Sequence, residues 1–125
     1  MTQQYQQRNI NNPEGGGTIA NTVADPDAEL TASDVGKVVR FDTTEAAGTV
    51  TLPRSAEAGD GAEITVIFPV GATGNPGTLA AISSGTPDVL VAPATAPANP
   101  AVSDNASFIV RADGGSNWYI VAGLA

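Results

Sequence analysis

The sequence predicts an all-β fold, a small antiparallel β-sandwich or partly open barrel behind an extended N-terminal arm. Three observations carry this. Apolar residues alternate with period two over strand-length runs, Gly- and Pro-bearing turn signals recur roughly every 8–12 residues, and almost nothing has helical period.

The arm spans residues 1–28. It opens MTQQYQQRNINNPEGGG and is rich in Gln, Asn and Gly. Such a stretch buries too little apolar surface to offset the entropy of ordering it. Ordering it therefore requires other protein chains to lie on. Tyr5, Arg8 and Ile10 are its candidate contact residues, which would anchor it by strand addition to a neighbour's exposed edge.

Residues 29–125 form the body. Thr31-Ala-Ser-Asp34 has the spacing of a capping box, and Gly36 limits it to a single turn. Lys37–Asp42 alternates as a strand with Val39 and Phe41 on one face. Thr43–Gly48 reads as a turn, and Thr49–Leu52 as a short strand ended by Pro53. Arg54–Gly61 reads as a polar loop. Glu63–Phe68 is the clearest strand, with Ile64, Val66 and Phe68 on one face and Ile67 on the other.

Beyond Val70 the pattern loosens into weak strands at Leu79–Ile82 and Val89–Val91. Ala92–Pro100 carries Pro93, Pro97 and Pro100, an extended loop that loses little entropy on docking and is a candidate contact. Ser107–Ala112 and Trp118–Val121 are strands joined by Asp113-Gly-Gly-Ser-Asn117, whose Asp-Gly pair supplies a tight reversal. Trp118 and Tyr119 point to opposite faces of that strand, so one belongs to the core and the other to a rim or interface. About seven short strands result. No internal repeat is evident.

Composition narrows the chemistry. The chain has 13 acidic and 5 basic residues, a net charge of −8, and neither histidine nor cysteine. Scattered cations oppose nucleic-acid binding. Without histidine there are no imidazole triads or His–metal sites, and without cysteine no thiolate or disulfide chemistry. No run of 18 apolar residues occurs, so no transmembrane helix is expected.

Only carboxylates remain as candidates. Asp25, Asp27 and Glu29 alternate in a pattern that invites Ca²⁺, yet no Gly follows at the sixth position, and Gly36 stands where a bidentate Glu belongs. They read as a solvated junction. Gly15-Gly-Gly17 lacks the lysine of a phosphate loop. Glu57, Asp60 and Glu63 surround a Gly-containing loop with no aromatic platform for a sugar. No catalytic site, cofactor or metal is expected.

Leu30-Thr31, Asp34-Val-Gly-Lys37, Val50-Thr-Leu-Pro53, Gly59–Val66 and Asp113-Gly-Gly-Ser-Asn-Trp-Tyr-Ile-Val121 together resemble a β module of tailed-phage virion proteins. The likeness is to head decoration (cement) proteins and to segments of tail fibres or tailspikes, and it spans about Leu30–Val121. It implies a capsid-bound homotrimer whose partners are the major capsid protein and its own copies, on the outer surface of the virion, with no nucleic acid and no membrane. The chain begins at its own Met1 and stops just after the last strand, which favours a free-standing cement subunit. A receptor- or glycan-binding module of an appendage is the alternative.

Overall fold

The computed structural model describes residues 16–68, 75, 77–91, 101–102 and 106–123. Ten strands fall among them: β1 (Gly17–Ala20), β2 (Ala28–Glu29), β3 (Val38–Asp42), β4 (Gly48–Thr51), β5 (Glu63–Phe68), β6 (Gly77–Ala80), β7 (Val89–Val91), β8 (Ala101–Val102), β9 (Ala106–Ala112) and β10 (Asn117–Ala122). They make a six-stranded sheet, ordered β1-β3-β5-β9-β10-β7, and a four-stranded sheet, ordered β2-β4-β6-β8. The mainly β character is as expected.

From β1 to β6 the chain alternates between the two sheets, so each odd strand pairs in parallel with the next odd strand, and each even strand with the next even one. Strands that are neighbours in one sheet can run parallel only if the chain crosses back between them. Here the strand of the opposite sheet makes that crossing. The antiparallel expectation is corrected accordingly: β5–β9, β9–β10 and β6–β8 are antiparallel, while β7 joins β10 in parallel.

The coiling also uncovers a repeat. Val39-Arg-Phe41 followed by Gly48-Thr-Val50 corresponds to Val66-Ile-Phe68 followed by Gly77-Thr-Leu79. The registers pair Val39 with Val66, Gly48 with Gly77 and Val50 with Leu79. Six residues separate Phe41 from Gly48, but eight separate Phe68 from Gly77, so no fixed period exposes it.

One core takes residues from both sheets. Val39, Phe41, Ile64, Val66, Phe68, Phe108, Val110 and Trp118 meet Val50 and Leu79, all fully buried. Phe41 and Phe108 meet the Phe68 ring edge-to-face with centroids 6.1 and 6.3 Å away, a favoured aromatic geometry. Val39 and Phe41 point inward, as their alternation requires, and so do Ile64, Val66 and Phe68. Ile67 is half-buried on the other side.

Two local expectations change. Arg54–Gly61 is not only loop, because Ser55–Ala58 makes one helical turn (α1). Ser55 is buried, its N–H bonded to Asp88 Oδ2 at 2.7 Å and its Oγ to Asp113 Oδ1 at 3.1 Å. The arm boundary at 28/29 also moves. β1 and β2 belong to the two sheets, and Ile19 and Ala28 enter the core. Ile19 and Ala28 suffice for this, because the backbone groups of β1 that face β3 are paired with it. Residues 17–29 thus rest on their own body.

The terminal hairpin forms as expected. β9 and β10 pair antiparallel, and Gly114 occupies a left-handed φ of +78° in the reversal.

Candidate interaction site

Two places in the described structure bear on the expected contacts. The first is the root of the N-terminal segment. The turn Ala32–Asp34 delivers a fully buried carboxylate: Asp34 Oδ1 accepts the Gly16 N–H at 2.7 Å, and Asp34 Oδ2 accepts the Thr31 N–H at 2.8 Å. The Thr31 bond is the acidic half of the expected capping box. Gly16 leads directly into β1, on the edge of the six-stranded sheet. Gly16 is therefore tied both to Asp34 and, through β1, to a hydrogen-bonded ladder.

A second fastening lies at the corner after β1. Asn21 is almost fully buried, its N–H donating to Asp42 O at 3.0 Å and its Nδ2 to Pro26 O at 3.2 Å and Ala46 O at 2.5 Å. Thr43 takes the equivalent place one coil later and donates to Asn75 O at 2.6 Å. These side chains tie one coil to the next. They carried no readable signal in the sequence, where a lone Asn or Thr after a strand is ordinary turn composition.

The second place is the outward face of the six-stranded sheet. Registers set three rows across it. Thr18, Arg40, Ile67 and Ser107 form one, and Val38, Thr65 and Ile109 the next. Glu63, Arg111, Tyr119 and Val91 form the third. Val38, Val89, Tyr119 and Val121 are exposed there, at 38–51 %, and the remaining large apolar side chain so exposed among the described residues is Val23. Arg111 donates through Nε to Glu63 Oε2 at 2.8 Å, with a closer contact from Nη2, so this cross-strand pair is neutral as a unit.

Of the expected contact residues, Trp118 leaves the surface. It is fully buried, and its indole N–H donates to Pro53 O at 2.8 Å, closing the end of β4 over the hairpin. A large ring with one polar handle is best placed where both are satisfied. Tyr119, on the opposite side of the strand, is 38 % exposed. Tyr5, Arg8, Ile10, Pro93, Pro97 and Pro100 lie outside the described residues.

Of the candidate carboxylates, Asp27 and Glu63 are engaged in the fold, and so is Asp113. Asp27 Oδ1 accepts the Thr49 N–H at 2.8 Å, holding β4 beside the turn before β2. Asp25, Asp27 and Glu29 border one shallow cleft, yet among the described residues no three acidic side chains gather as metal ligands do. Glu63 belongs to its arginine. Asp113 accepts from the Asn117 side chain at 2.8 Å, from the Gly115 and Asn117 N–H groups at 2.8 and 3.1 Å, and from Ser55 Oγ at 3.1 Å. That donor set, the Asn117 amide foremost, lowers its pKa from 3.8 to about 2. Its role is to brace the hairpin turn against α1.

No family model matches the chain, and no curated protein matches it. Among the described residues no helix is long and apolar enough to cross a membrane.

Proposed function

We propose that this chain is a capsid decoration (cement) protein, a homotrimer on the outer head surface of a tailed phage that binds the major capsid protein and stiffens the shell. The proposal takes the two sheets as a sandwich rather than a closed barrel, carrying its arm from one edge. The observation that carries it is the root: a buried carboxylate fixes Gly16, and β1 continues the segment into the six-stranded sheet. A fastener needs such a joint, because a contact made by an extended segment resists load only if its other end is anchored. Three weak contacts in one trimer then add through effective concentration.

The test is cosedimentation with undecorated heads. Deleting residues 1–15 leaves β1 intact, so the variant keeps its strand content while its occupancy on heads falls at least about tenfold. Full occupancy by the deleted form, or no binding by the whole chain, sinks the proposal. A glycan-binding appendage module is the rival that exposed Tyr119 favours, and retention on a glycan array with no binding to heads would select it.

A further inference from the structure

We infer that the outward face of the six-stranded sheet is the surface through which copies of this chain associate, the faces of the copies turned toward one another around a shared axis. The inference deepens the cement reading by naming a surface, and depends on that reading only for the number three.

The first argument is the distribution of apolar surface. Among the described residues, four of the five large hydrophobics left exposed, Val38, Val89, Tyr119 and Val121, stand on this one face, with Ile67 and Ile109 half-buried between them. The registers place Val38, Ile67, Ile109 and Tyr119 on successive strands β3, β5, β9 and β10, each one row from the next, so they step obliquely across the sheet with Arg40, Thr65 and Arg111 beside them. Contiguous apolar patches on small soluble domains mark contact sites.

The second argument is charge. The face carries Arg40, Arg111, Asp42 and Glu63, which cancel. The chain's other acids outnumber its other cations eleven to three, so the whole net charge of −8 lies among them. Two copies of an acidic protein repel wherever acidic surfaces meet, and this face lets them approach without that cost. A basic or an acidic partner would find no complementary field here, whereas a second copy needs none and meets no net repulsion.

The third argument is size. Six strands at about 4.8 Å spacing, each about 17 Å long, give a projected area of about 400 Å². Stable interfaces use about 800 Å² per partner. The remainder must come from side-chain relief and from the flanking edges β1 and β7, each unpaired on its outer side among the described residues.

Sedimentation equilibrium on the purified full chain tests this. The wild type is expected at a multiple of 12.5 kDa, three in the cement reading. Val38→Glu with Tyr119→Glu should bring the mass to that of one chain, weakening association at least about tenfold, with an unchanged far-UV spectrum. Both positions are exposed, so each single variant folds and gives the same direction should the pair fail. Val23→Glu, off the face, should keep the wild-type mass. Raising salt from about 0.05 to 0.5 M should leave the mass unchanged, since little unbalanced charge is involved. A wild type that is monomeric at about 100 μM, a double variant that keeps its mass, dissociation by salt, or dissociation by Val23→Glu would each overturn the inference. Because the mass is read without heads, an oligomer that fails to bind them removes the cement reading and leaves this one standing.

Discussion

Replacing Asp34 by Ala removes both carboxylate oxygens that hold the root of the N-terminal segment. The Gly16 N–H, buried and bonded at 2.7 Å, loses its acceptor, while the Thr31 N–H, on an exposed residue, turns to water. A buried donor left unmade costs about 1–3 kcal/mol, and a bond to a charged acceptor adds to a similar degree. Relief from burying a carboxylate offsets part of this. A net loss of about 2 kcal/mol follows, which at this chain length lowers the melting temperature by roughly 8 °C. The loss should also be local. Amide exchange should quicken first in Gly17–Ala20, because β1 is an edge strand held by β3 alone among the described strands. Calorimetry with residue-resolved exchange reads both. Melting within about 2 °C of wild type, with β1 protection intact, would refute the idea that Asp34 anchors the segment.

Two further predictions follow from single contacts. In Gly77→Ala the new Cβ would stand 2.2 and 2.3 Å from Cε1 and Cδ1 of Phe68, a ring held between Phe41 and Phe108. Overpacking of this kind costs about 1–3 kcal/mol, so chemical denaturation should show a clear loss, and an unchanged midpoint would contradict the close packing of the two sheets. Asp113 is held near pKa 2, below its ordinary 3.8, so its contribution to stability is whole above about pH 4 and is lost as pH falls through that range toward 2. The melting gap between wild type and Asp113→Asn should therefore close between pH 5 and pH 2. A gap that stays constant would show that the hairpin brace does not depend on the carboxylate.

Much of the local structure was legible in the residues themselves. Val39 and Phe41, and Ile64, Val66 and Phe68, point into the core as their spacing requires, and the Asp113–Asn117 reversal sits between two strands that pair with each other. Of Trp118 and Tyr119, alternation alone assigned one to each side of the strand. The sorting of the pair between core and surface came from packing, since the indole N–H found Pro53 O. The Asp34 turn was visible as a motif, but its second role, receiving Gly16 from eighteen residues away, was not.

The facing of β3, β5, β9 and β10 was set by the sequence, because side-chain alternation is a local property of each strand, whereas β1 and β2 carry no such signal. Strand partners were decided only by the tertiary structure. Backbone donors and acceptors are the same at every residue, so nothing in Lys37–Asp42 or Glu63–Phe68 announces a parallel neighbour. The short Val-x-Phe and Gly-Thr repeats that align those coils are separated by turns of unequal length. That inequality hid the winding of the chain, and with it the place of Gly17–Ala20, composed like a loose arm, as the edge of the larger sheet.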